Sequence, residues 1–195
     1  MFEMKFFLAR DYRHKFRFFS SEPLQQIKVE FSRLKKILAA ARQKLMLLPP
    51  KILRQEQAFE NINRIKSNEI SIYFSGKDSE RKIRILFFLF LQKQKTKHLF
   101  LLIIETILLP VSGLMALIPG PNIFFGILAL IIITHWQAFR GIIRLGKKTL
   151  SFTSSVSLKE WEQALAKKDP TAFPAALKKI EQEFGINDIQ KILYK

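Results

Sequence analysis

The chain contains no cysteine. This excludes disulfides, thiolate metal sites and a cysteine nucleophile, and it fits a reducing compartment. Histidine is scarce: His14, His98 and His135 lie far apart, and no His-Glu-x-x-His pair can be written. No Gly-x-Ser-x-Gly elbow occurs. The acids, 16 against 33 lysines and arginines, form no cluster suited to magnesium. Glycine is sparse at 7 residues. The one phosphate-loop look-alike, Gly141 to Thr149, fails because Lys148 stands where Ser or Thr must follow Gly-Lys. The expectation is a protein with no metal, no cofactor and no enzymatic activity. The N-terminus lacks a continuous apolar run, so no cleaved signal peptide is expected, and Glu3 and Asp11 make it a poor transit peptide.

Charge is also missing from the middle of the chain. From Leu99 to Thr134 the one charged residue is Glu105. A membrane-crossing helix needs roughly 20 apolar residues, so this stretch is too long for one and suits two. Pro119, Gly120, Pro121 and Asn122 supply a turn between them, because proline removes backbone donors and glycine frees the backbone. The reading is a helical hairpin, Leu99–Ile118 and Pro121–Phe139, either crossing the bilayer twice or re-entrant. Pro110 is expected to kink its first helix. Trp136 and Phe139 suit an interfacial aromatic belt.

Glu105 precedes Pro119 by as many residues as His135 follows Pro121. In an antiparallel hairpin the two side chains then lie at one depth. An intramembrane carboxylate is costly alone and faces a partner or a cavity. Two readings are open: the pair fastens the hairpin, or it holds a proton in an ion relay.

The flanks are basic. Lys93, Lys95 and Lys97 precede the hairpin, and Arg140, Arg144, Lys147 and Lys148 follow it. The positive-inside rule places both ends on the cytoplasmic or matrix side, with these seven residues at lipid headgroups. A formal charge of +17 calls for anionic partners, and anionic phospholipid is the economical choice beside a membrane hairpin. Nucleic acid is the remote alternative, although aromatics and bases interleave from Arg10 to Phe19.

The rest reads mainly as helix. Residues 1–78 form a basic N-terminal region. Within it Leu24 to Leu48 carries a 3-4 spaced apolar seam, as in a coiled coil, ended by Pro49-Pro50. A second helix over Lys51–Ser67 folds back on it as an αα-hairpin. Met4–Ala9 and Glu69–Ser75 are strand-like and can pair as a small two-stranded β element. Residues 79–98 read as an interfacial helix with a polar break from Gln92, 99–140 as the membrane hairpin and 141–156 as a basic and polar linker. Residues 157–195 read as a C-terminal helical unit opened by a capping box, Ser157 to Glu160, with Val156 stapled to Trp161. The fold class is thus a mainly α membrane protein.

One set of motifs is familiar. His98, Leu108-Leu109-Pro110, Ala116-Leu117-Ile118-Pro119-Gly120-Pro121-Asn122 and His135-Trp136-Gln137-Ala138-Phe139-Arg140-Gly141 resemble the mitochondrial potassium/proton exchange-related family. The resemblance covers about Tyr73–Leu145, with a weaker echo in Lys5–Phe19. It implies a membrane protein tied to cation–proton exchange, with a proline-bounded hairpin. His98, Pro110, Pro119, Pro121, Asn122, His135 and Arg140 are then the positions to watch, and no catalytic assignment comes with them. A mitochondrial inner membrane or, for a bacterial relative, the cytoplasmic membrane is implied. Two helices alone cannot build an alternating-access pathway, so a homo-oligomer or a membrane-protein partner is expected. The alternative is a membrane-anchored adaptor that binds anionic lipid and partner proteins without transport.

Overall fold

Phe6, Phe7, Leu8 and Ala9 are buried without exception. A strand that reads as an unbroken apolar run is covered on both faces, and this one is. It is strand β1 (Phe6–Arg10) of a four-stranded sheet with β2 (Phe16–Ser20), β3 (Glu69–Phe74) and β4 (Thr149–Ser154), in the order β2-β1-β3-β4. β1 and β2 are antiparallel, with Phe6 opposite Ser20; β1–β3 and β3–β4 are parallel, with Phe6 opposite Ile72 and Ile72 opposite Phe152. The computed structural model describes residues 5–21, 50–114, 123–186 and 189–194.

Alternation sends Phe6 and Leu8 to one core and Phe7 and Ala9 to the other. The first core is closed by helices α1 (Pro50–Ile62), α2 (Glu80–Leu114) and α3 (Ile123–Leu145), through Phe59, Ile83, Phe87, Ala138 and Ile142 among others. The second is closed by α4 (Val156–Lys167), α5 (Phe173–Phe184) and α6 (Ile189–Leu193). There Trp161 is fully buried and its Nε1 donates to the Arg10 carbonyl at 2.8 Å. Phe184 meets Phe7 edge-on at 4.1 Å between ring centroids.

The protein is therefore mixed α/β, which corrects the mainly α, two-span expectation. Among the described residues one stretch, Leu128–Leu145, is long and apolar enough to cross a membrane. On the other side of the pair, Leu99–Leu114 is not an independent span. It continues α2 from a charged segment that is anchored on the sheet, and Lys93, Lys95 and Lys97 lie just before it. The interfacial helix expected over 79–98 is present, and its polar stretch from Gln92 to His98 is helical throughout. Pro110 lies inside α2.

The sheet is larger than the expected pair of strands. The aromatic and basic stretch after Arg10 forms the β1–β2 turn and β2. Asp11 shapes that turn by accepting from the backbone N–H of Arg13 and Lys15, each at 2.9 Å, and from Arg17 Nε at 2.8 Å. Thr149–Ser154, expected to link two regions, pairs along all of β3. Helix α4 starts two residues earlier than expected, with Ser155 as its cap accepting from Leu158 N; Val156 is exposed and staples nothing. Gly185 ends α5 at φ 65°, a conformation that glycine adopts without strain. The apolar seam Leu24–Leu48 and the Pro119–Asn122 turn lie outside the described residues.

Candidate functional site

The seam between α2 and α3 is built by helical periodicity. Ile83, Phe87 and Leu91 lie on the buried side of α2 against the sheet; His98, Leu102 and Glu105 continue the same stripe beyond it. Steps of three, four and seven keep them on one face of a 3.6-residue helix. From α3, Thr134, His135, Ala138 and Ile142 are buried. Beyond Leu91 on α2 and before Ala138 on α3, no described residue belongs to either core. These distal halves pair with each other as an arm.

The arm has an inverted polarity. Beyond Lys97 its titratable groups, His98, Glu105 and His135, face inward, and large apolar side chains face outward. Leu99, Phe100, Ile103, Ile104, Ile107, Leu108 and Val111 of α2 are exposed, as are Ile133 and Trp136 of α3. A helix pair packed for water has the opposite arrangement.

Inside the seam His135 Nδ1 lies 2.5 Å from Glu105 Oε1, a short hydrogen-bonding contact. Both residues are buried. Thr134, next to His135, is satisfied by its own helix, its Oγ1 donating to the Leu130 carbonyl at 2.8 Å. His98 is wholly buried one step nearer the sheet, with its ring 5.6 Å from that of His135. Its Nε2 lies 3.3 Å from Glu56 Oε2, and Phe59 meets its ring edge-on. Burial first, then the charges of Lys97 and His135, pushes the His98 imidazole down to about 3. His98 is therefore neutral near pH 7 and keeps one nitrogen as donor and one as acceptor.

Glu56 was not among the residues singled out from the sequence. It had a signal: it lies four residues after Ile52 and three before Phe59, a carboxylate on the apolar seam of its helix. Helix α1 reaches α3 so closely that a Cβ built on Gly141 would stand 1.8 Å from the Phe59 carbonyl oxygen. Asn63 Nδ2 also donates to the Gln137 carbonyl at 2.8 Å. This crossing brings Glu56 to His98.

The basic residues divide. Lys93, Lys95, Lys97, Arg140 and Lys147 are exposed. Arg144 and Lys148 are turned to the α1–β3 connection, Arg144 donating to the Asn63 carbonyl at 2.7 Å and Lys148 to the carbonyls of Ile65 and Ser67. Among the described residues, no three His, Asp or Glu side chains converge as a metal ion requires.

A family model described as mitochondrial K+-H+ exchange-related matches residues 9–149. The chain belongs to that family. No curated protein and no solved structure matches it. In this K+-H+ exchange-related chain the match takes in β2, β3, the α2–α3 arm and all four of Glu56, His98, Glu105 and His135. It ends at Thr149, before the helices that cover the second face of the sheet.

Proposed function

We propose that this chain is a membrane-associated component of K+/H+ exchange in which Glu105 and His135 hold the exchanged proton. The observation that carries the reading is the arm itself: a carboxylate and an imidazole in contact at its centre, with apolar side chains around its outside. Buried ionisable groups inside an apolar helix pair are the usual mark of an ion or proton pathway. The family description points to the same chemistry.

The outer faces of the arm contact lipid, and Lys93, Lys95, Lys97, Arg140 and Lys147 meet anionic headgroups near its base. Tyr12 N donates to the Leu193 carbonyl at 2.7 Å, so the β1–β2 turn and the last helix lie together. This supports N- and C-terminal parts sharing one side of the membrane, the matrix side of a mitochondrial inner membrane or the cytoplasmic side of a bacterial one. One helix pair supplies no inverted repeat for alternating access, so the chain acts as a homo-oligomer or with another membrane protein.

The test is flux. Full-length protein is reconstituted into vesicles holding a pH-sensitive dye, and a potassium gradient is imposed. Proton movement that depends on potassium is expected, and Glu105→Gln abolishes it or changes its pH dependence. Unchanged flux in that variant removes Glu105 from the reaction.

An adaptor role is the second reading, favoured by the sheet-side half of α2. There Ile85, Phe88 and Leu89 are exposed beside Arg81, Lys82 and Arg84. Such a face lies at a headgroup boundary with its rings down. Vesicle binding that falls with salt, in a protein that moves no protons, would favour this role.

A further inference from the structure

Two of the four buried groups have no part in the exchange reading above. Glu56 and His98 are as deeply buried as Glu105 and His135, and Glu56 comes from a third helix. Burial disfavours an ionised group unless it is paired and hydrogen-bonded. The geometry is serial. Glu105 touches His135, the His135 ring faces the His98 ring, and His98 Nε2 faces Glu56. His135 Nδ1 is engaged by Glu105 Oε1, His98 Nε2 lies 3.3 Å from Glu56 Oε2 outside hydrogen-bond geometry, and His98 Nδ1 makes no hydrogen bond among the described residues.

Resting on the Glu105–His135 reading, we propose that Glu105, His135, His98 and Glu56 form one proton-conducting file that leads from the arm to the sheet-side core, with Glu56 as its inner terminus. A proton leaves Glu105 Oε1 for His135 Nδ1, and His135 releases the proton on its Nε2. His98 takes a proton at Nδ1 and releases the one on Nε2 to Glu56 Oε2. Only N–H and O–H bonds are made and broken, one for one. Both rings end in the opposite tautomer and are reset by ring rotation or by the reverse passage.

The rings stand 5.6 Å apart between centroids, and the file requires their facing nitrogens to pass the proton directly or through one water. Among the described residues, the titratable and charged groups at this junction include Glu56 from α1, Lys97, His98 and Glu105 from α2, and His135 from α3. The competing account is that the four groups merely fasten three helices together.

The full chain has three histidines, and His14 lies in the β1–β2 turn as an internal reference. Imidazole titrations are followed by nitrogen-15 NMR in vesicles of phosphatidylcholine with phosphatidylglycerol. The file predicts that Glu56→Gln shifts the titration of both His98 and His135 while His14 stays put. A shift at His98 alone overturns it. Flux is measured on the same samples. Glu56→Gln and His98→Gln are expected to slow proton movement roughly tenfold or more, with recovery in Glu56→Asp. Wild-type flux in both, with flux lost in Glu105→Gln, overturns the file and leaves the exchange reading standing. Wild-type flux in Glu105→Gln overturns the exchange reading itself. A variant that fails to melt cooperatively is replaced by Glu56→Asp, whose coupled titrations must match the wild type.

Discussion

Gly141 and Phe59 lie in backbone contact. A Cβ at position 141 would stand 1.8 Å from the Phe59 carbonyl oxygen, and backbone cannot give way as a flexible side chain does. Helix α3 therefore crosses α1 closer than any side chain permits, and the crossing holds Glu56 within reach of His98. Gly141→Ala must separate the helices. The expected cost is about 1–3 kcal/mol or somewhat more, as for overpacking in a core. A thermal melt against wild type measures it, and an unchanged midpoint would refute the contact.

The Glu105–His135 contact makes a prediction about stability that is independent of transport. Removing one partner leaves the other buried without compensation, at a cost of about 3–5 kcal/mol; replacing both by apolar residues removes the burden. Glu105→Leu and His135→Leu alone are thus expected to melt lower than the double variant. A double-mutant cycle in detergent reads the coupling, and additive effects would show that the two side chains do not interact.

His98 sets a pH dependence whose sign follows from its burial. Its pKa in the folded chain is pushed down to about 3, against 6.5 when exposed. Between those values the unfolded chain binds more protons than the folded one, so stability falls as pH falls. The loss begins below about pH 6.5 and grows by at most about 1.4 kcal/mol for each pH unit. Glu56 lies against the same ring, and Lys97 and His135 are the charged neighbours that act on it. Melts from pH 7.5 down to 5 should show a steeper decline for the wild type than for His98→Gln. Parallel curves would mean that the imidazole is charged in the folded state.

Trp161 ties the C-terminal helices to the sheet. Trp161→Ala empties a fully buried site and loses the bond to the Arg10 carbonyl. A cost of about 3–5 kcal/mol is expected. Because Phe7 and Phe19 would lose their cover, a fluorescent apolar dye should bind the variant and protease should cut α4–α6 early. Resistance equal to wild type would show that the second core does not depend on this residue.

Some of the candidate site could be read without a structure. The offsets of Glu105 and His135 from the two prolines placed them level, and the structure has them 2.5 Å apart. Gly185 at the end of α5 and Pro174 in its first turn act through local backbone geometry, which residue type alone sets. Other features were misread for equally physical reasons. Thr149–Ser154 is polar and serine-rich, and its strand character comes from pairing with β3, about eighty residues away in the chain. Gln92–His98 is polar, and the helix expected over 79–98 runs through it. Its neighbours Leu91 and Leu102 are held by packing, and that keeps the helix continuous.

Composition and spacing by themselves determined the chemistry available: no thiol, one acid in a long apolar stretch, an excess of bases, and the motifs of a K+-H+ exchange-related chain. Those are properties of residue type and of local period. Tertiary structure alone decided that β1 is covered on both faces, that three parts of the chain share one sheet, and that Glu56 reaches His98. The reason is that a strand's partners and a buried carboxylate's neighbour are chosen by contacts between distant segments, whose free energy no local window contains.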